Sequence, residues 1–168
     1  MSKKFTIFIG KRILPDKIIK KNERSLIKNL KKHISEGTEI FCTSGAIGFE
    51  TAAAHAVIRL RKRKRFRHVQ LILLDFGHNQ GLYWNAESQR VYERIRDAAD
   101  QIIPILDEDA ETDAVLQRKV LEEADASACC VYCLPDERDG SAALVDYAWC
   151  CGCKVIAVQR KYWREKYG

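Results

Sequence analysis

The chain has 168 residues, 46% of them hydrophobic and 31% charged, enough to bury one core and within the usual span of a single domain. It has no window of about 18 or more uncharged apolar residues, and the run after "MSKK" is too short for a secretory signal, which argues for a cytoplasmic protein with no membrane partner. Residues 1–84 carry 18 Lys/Arg against 6 Asp/Glu and residues 85–168 carry 11 against 17, so the net +6 conceals halves of +12 and −6.

The first apolar run, Phe5–Gly10 "FTIFIG", is short, β-branched and aromatic, and reads as a buried strand ending in a glycine turn. After Pro15, Leu26, Ile27, Leu30 and Ile34 recur at helical spacing until Gly37 stops them. "TEIFCT" is a second strand. From Ala46 onward Phe49, Ala52, Ala53, Ala56, Val57 and Leu60 trace one face of a helix that runs out in "RLRKRKRFRH". Val69–Phe76 "VQLILLDF" is an almost continuous apolar run, the pattern of a strand covered on both faces. Val91, Tyr92, Ile95, Ala98 and Ala99 mark a helix, "QIIPIL" a strand, and Val115, Leu116, Val120, Leu121 and Ala124 another helix. "ACCVYCL", "SAALVDYAWCC" and "KVIAV" then read as strand, helix and strand, followed by a charged tail over 159–168. This alternation predicts an α/β, Rossmann-like, open and mainly parallel sheet of about six strands with helices on both faces, in one domain whose core spans about 5–158.

In such a sheet ligands bind outside the carboxyl ends of the strands, where helix N-termini also point. The rule selects Gly10, Lys11 and Arg12 after strand one, and Ser44, Gly45, Gly48 and Glu50 after strand two. It also selects the loop to Trp84 after strand three, and Asp139, Gly140 and Ser141 after strand five. Glycines let backbone amides approach a phosphate or adopt positive φ, although most α/β loops hold glycines as simple turn residues. "GAIGFE" is not the dinucleotide fingerprint and "GSAAL" is not followed by Lys-Ser/Thr, which disfavours an ordinary dehydrogenase and a P-loop kinase. Glu50 in the first turn of its helix suits a ribose hydroxyl, or the cationic character that develops when an N-glycosidic bond breaks; helix-start chemistry alone also accounts for it. Arg12 offers a fork for phosphate. Trp84, with Gln89 and Tyr92, could stack on a base and read its edge, or close the core. His78 in "GHNQG" has no evident partner.

Seven cysteines in a cytoplasmic chain read as reduced thiols. Cys130-x2-Cys133 and Cys150-x2-Cys153 have the spacing of a four-cysteine zinc site, yet Cys130 and Cys133 lie on one strand, about 10 Å apart and on opposite faces. Buried thiols are the better reading, with no metal. "RLRKRKRFRH" could be a nucleic-acid patch; its place at a helix C-terminus, away from the selected loops, favours a solvated end that complements the macrodipole.

The ordered set Gly10-x-Arg12, "TSGAIGFETAAA", "W…Q..Y" with "AADQIIPI", "LQRKVLEEADA" and "DGSAALVDYA" resembles the SLOG superfamily, over about residues 5–158 and nearest its YpsA-like branch. That is the Rossmann-like fold of DprA-type proteins and of the LOG phosphoribohydrolases. The resemblance implies a pocket for a nucleotide-derived ligand such as NAD or ADP-ribose, with phosphate or ribose contacts at Gly10, Arg12, Ser44, Gly45, Gly48, Glu50, Gly140 and Ser141. The branch typically has Gly-His-Arg where this chain has Gly10-Lys11-Arg12, Gly-Gly at Ser44-Gly45, and Asp at Glu50. "LPDERDGSAAL" does not reproduce the Pro-Gly-Gly-x-Gly-Thr loop of LOG enzymes.

The expectation is a small-ligand sensor or regulator that requires no cofactor. The alternatives are a nucleoside monophosphate phosphoribohydrolase in which Glu50 is catalytic, and DprA-like single-stranded DNA binding by the basic half. Apolar helix faces leave room for a homo-oligomer.

Overall fold

The computed structural model describes residues 3–10, 16–75, 85–105, 118, 129–134 and 141–158. Among them are six strands: β1 (Phe5–Gly10), β2 (Ile40–Thr43), β3 (Gln70–Asp75), β4 (Gln101–Pro104), β5 (Cys129–Leu134) and β6 (Lys154–Ala157). Every pairing is parallel and the order across the sheet is β4-β3-β2-β1-β5-β6. Four helices accompany them: α1 (Asp16–Ser35), α2 (Phe49–Arg61), α3 (Ala86–Ala98) and α4 (Ser141–Cys150). The architecture is the Rossmann-like α/β sheet that the alternating pattern predicts.

Side-chain alternation along the strands builds a core on each face. Phe8, Phe41, Leu71 and Tyr132 project to one side, where they meet Leu26 and Leu30 of α1 and Ala53, Val57 and Leu60 of α2. Leu73 extends this side to Ala54 and to Ile95 of α3. Ile7, Ile9, Val131, Cys133 and Val155 project to the other side, against Leu144, Val145 and Ala148 of α4. The sheet grows from β1 toward β4 in one direction and from β5 to β6 in the other, so right-handed crossovers put α1–α3 on one face and α4 on the opposite one. The reversal falls between β1 and β5. In this architecture ligands usually bind outside the carboxyl ends of the strands at such a reversal.

Two boundaries differ from the sequence reading. The apolar periodicity begins at Ala46, but α2 begins at Phe49, because its N-cap Gly48 has φ 96 and ψ −130, outside helical space. In the run Val69–Phe76 the strand is Gln70–Asp75; Leu71 to Leu74 are all buried, on both faces of the sheet. Of the helix expected over Val115–Ala124 only Arg118 is described, its guanidinium carbon 5.4 Å from the ring centroid of Tyr147. The charged tail lies outside the described residues.

The cysteines follow strand geometry. Cys130 is in register with Thr6, while Cys133 sits in the opposite core against α4. Burial pushes the Cys42 and Cys133 thiols up to about 12 and Cys130 to about 11, so at neutral pH they are protonated and inert. Among the described residues the cysteines are free thiols, and no three His, Cys, Asp or Glu side chains group as metal ligands.

Candidate functional site

The loop from Thr43 to Gly48 joins the carboxyl end of β2 to α2, and short side chains organise it. Thr43 Oγ1 accepts from the Gly45 amide at 3.1 Å and donates to the Glu50 carbonyl at 3.3 Å. Ser44 Oγ accepts from the Ala46 amide at 3.3 Å and donates to Glu50 Oε1 at 2.8 Å. Thr51 Oγ1 donates to the Ala46 carbonyl at 2.8 Å. These are the turn contacts that Ser and Thr offer a backbone leaving a strand. Glu50 is only 5% exposed and Ser44 2%, so a buried carboxyl group stands at the mouth of α2, oriented by the Ser44 hydroxyl.

Two glycines here are demanded by packing. A Cβ on Gly10 would lie 2.4 Å from Phe49 Cδ1 and 2.7 Å from Phe49 Cβ, so only glycine lets α2 begin against the end of β1. Gly45 has φ +71, and a Cβ there would lie 2.7 Å from Tyr92 Cε2 and 3.2 Å from Leu73 Cδ1. Tyr92 thus closes over the β2 loop, and its hydroxyl donates to Asp75 Oδ1 at 3.2 Å. Burial first, then the charge and hydrogen bond of Asp75, push the Tyr92 phenol well above its ordinary range.

The loop has already committed two amides, those of Gly45 and Ala46, to Thr43 and Ser44. The first helical amides with carbonyl acceptors are Thr51, bonded to Ala46, and Ala52, bonded to Gly48. The amides of Ile47 to Glu50 precede them, at the positive end of the helix dipole. An ionised Glu50 would put negative charge there, so a second anion would meet repulsion where an uncharged hydroxyl would find an acceptor.

Of the residues selected from the sequence, Gly10, Ser44, Gly45, Gly48 and Glu50 are gathered around the start of α2. Ser141, 8% exposed, opens α4 beyond β5, the strand next to β1. Gln89 lies on α3, exposed, three residues before Tyr92, and its amide bonds the carbonyl of the N-cap Asn85 at 3.1 Å. Lys11, Arg12, His78, Trp84, Asp139 and Gly140 lie outside the described residues. The sequence reading passed over Thr43, Thr51 and Asp75. Asp75 was within reach of the carboxyl-end rule, as the last residue of β3.

Residues 3–145 match the YspA SLOG family. The chain belongs to that family. Over 86 residues, 51% of this chain, the SLOG-family protein is 36% identical to a UPF0398 protein of Halalkalibacterium halodurans. The aligned part is 44% of that relative's length, so the chain spans less than half of the curated relative it matches. The structure of a Moco carrier protein from Chlamydomonas reinhardtii is similar with a TM-score of 0.54 and 16% sequence identity, covering 99% of this chain and 86% of that one. That likeness is one of fold. Among the described residues of the SLOG-family protein no helix is long and apolar enough to cross a membrane.

Proposed function

We propose that this SLOG-family protein binds a small nucleotide-derived ligand of the NAD or ADP-ribose type, outside the carboxyl ends of β1, β2 and β5, and acts as a sensor or regulator. The supporting observation is the buried Glu50 carboxylate, fixed by Ser44 at 2.8 Å at the mouth of α2. A ribose hydroxyl can donate to such a carboxylate, whereas a phosphate is repelled from it. In this reading the phosphates lie away from Glu50, toward Lys11, Arg12, Gly140 and Ser141, and the base toward Trp84 and Gln89. Calorimetry with NAD, ADP-ribose, cyclic ADP-ribose and AMP tests it. Binding by at least one of them is expected, weakened about tenfold or more in Glu50→Gln, as loss of a charge-assisted bond to a hydroxyl implies. No heat from any of the four at about 1 mM, the weak limit of useful affinity, overturns the reading.

The same carboxylate favours a second reading, hydrolysis of a nucleoside monophosphate at its N-glycosidic bond. Glu50 would stabilise the ribosyl cation while Arg12 held the phosphate. Chromatography of AMP incubated with the protein would then show free base, and Glu50→Gln would abolish its release. Release that persists in that variant removes Glu50 from the chemistry.

A further inference from the structure

At the opposite end of the sheet, the amino end, α2 runs out into a rigid basic loop. The Lys62 and Arg63 amides bond back to the last turn of α2, Lys64–Phe66 form a single 3-10 turn, and the Val69 amide bonds the Phe66 carbonyl at 3.3 Å. Phe66 is 7% exposed and pins the loop into the core beside Val69 and Leu60. Around it Lys62, Arg63, Lys64, Arg65, Arg67 and His68 are all exposed, with Arg65 lying 5.5 Å over the Phe66 ring.

Solvated cations at a helix C-terminus ordinarily find carboxylates nearby. Here Asp100, Glu23 and Glu36 are engaged elsewhere. Asp100 accepts from Arg61 at 2.8 Å and from the Leu71 amide at 2.7 Å; Glu23 pairs with Arg59, and Glu36 with Lys154 at 3.9 Å. Among the described residues no carboxylate forms an ion pair with Lys62, Arg63, Lys64, Arg65 or Arg67. The exposed Lys3 and Lys4 before β1 add cations at the same end of the sheet, with the exposed Glu39 before β2 between them and the loop. From β3 to β1 is two strand spacings, about 10 Å, the length of about three phosphates along one nucleic-acid strand.

We propose that this amino-end surface docks the phosphodiester backbone of a double-stranded nucleic acid, independently of the ligand site proposed above. The arginine forks suit phosphate oxygens, and the loop needs no reordering to present them. A duplex is favoured over a single strand because single-strand sites stack bases on exposed aromatic rings, and Phe66, the aromatic residue of this loop, is buried. The same burial removes the apolar wedge by which a basic segment inserts at a membrane surface.

The test is fluorescence anisotropy with a labelled DNA duplex of about 20 base pairs, titrated at several salt concentrations from about 50 to 200 mM. The variant Arg63→Ala/Lys64→Ala/Arg65→Ala/Arg67→Ala changes only exposed side chains. Its charge-matched control, Arg24→Ala/Lys28→Ala/Arg90→Ala/Arg94→Ala, alters exposed positions on α1 and α3. The wild type is expected to bind with a steep salt slope. The loop variant should flatten that slope by about 3 to 4, near 0.9 for each phosphate no longer neutralised, and weaken binding at least about tenfold, while the control changes it little. The proposal is overturned by absence of duplex binding at about 50 mM salt, by equal weakening in the control, or by tighter binding to the single strand or to phosphatidylserine vesicles. The loop variant should keep any heat of ADP-ribose binding, so failure here and failure of the proposed ligand binding register separately.

Discussion

The two ends of the sheet handle polarity in opposite ways. At the carboxyl end the polar side chains of Thr43, Ser44 and Glu50 are buried and bonded to one another, and two glycines press against Phe49 and Tyr92. At the amino end the charges are exposed, and the buried polar groups, Thr6, His33 and Thr38, form a small neutral network beneath them. A parallel sheet thereby separates its tasks. One end collects helix N-termini and a fixed carboxylate, and the other collects helix C-termini, whose negative dipole ends accommodate cations.

Gly10→Ala should break the carboxyl end most severely. Its Cβ collides with both the ring and the Cβ of Phe49, the first residue of α2, and a loss of about 3 kcal/mol is expected in urea unfolding. Gly45→Ala combines positive-φ strain with the clash against Tyr92. About 3 kcal/mol is expected in the wild type and about 1 to 2 kcal/mol in a Tyr92→Ala background, where the strain and the tight approach to Leu73 remain. Equal losses in both backgrounds would mean that Tyr92 does not press on the loop.

At the amino end the largest expected effect is on acid stability. His33 is 3% exposed, packed edge-on against Tyr132, with Nδ1 3.3 Å from Thr6 Oγ1. Burial is the main cause that lowers its pKa from 6.5 to about 4, aided by Lys154 and Lys32 and opposed by Glu36. The folded state therefore binds fewer protons than the unfolded one in this window. His33 contributes no penalty above the unfolded pKa, and stability falls as pH drops from about 6.5 toward 4, by about 3 kcal/mol in all. Denaturation followed across that range should show a steeper decline for the wild type than for His33→Gln. Parallel curves would remove His33 from the account.

How much of this was legible in the sequence depends on how local the cause is. Strands such as "FTIFIG" and "VQLILLDF" announce themselves because apolar and β-branched runs record burial directly. Placing Ser44, Gly45, Gly48 and Glu50 together required only that they follow a strand and open a helix. The strand order was not legible, since nothing in "ACCVYCL" says that β5 returns to lie beside β1. Nor was the reason for Gly10, whose partner Phe49 is remote in sequence: a missing Cβ reads the same whether it makes room for a phosphate or a phenyl ring. Asp75 went unnoticed because its bond to Tyr92 spans the β3–α3 connection.

A middle-sized effect separates the two roles of Glu50. Ser44→Ala leaves a buried carboxylate short of one hydroxyl donor, and a loss of about 2 kcal/mol is expected in urea unfolding. Ser44→Thr keeps the hydroxyl and should recover part of it. If Ser44→Ala unfolds like the wild type, the Ser44 bond does not hold Glu50.

The smallest effect sharpens the contrast from the other side. The pair Arg59–Glu23 joins α2 to α1 with side chains 65% and 39% exposed, so it sits in water and its attraction is screened. Glu23→Ala should lower stability by no more than about 0.5 kcal/mol, and that difference should fade as salt rises toward about 1 M. The Ser44→Ala loss should persist in the same salt, because solvent and ions do not reach a hydrogen bond between two buried groups. A Glu23 effect as large and as salt-resistant as that of Ser44 would mean that the amino end relies on its charges for stability. In that case Arg59 would be committed to the fold and unavailable to any phosphate docking beside it.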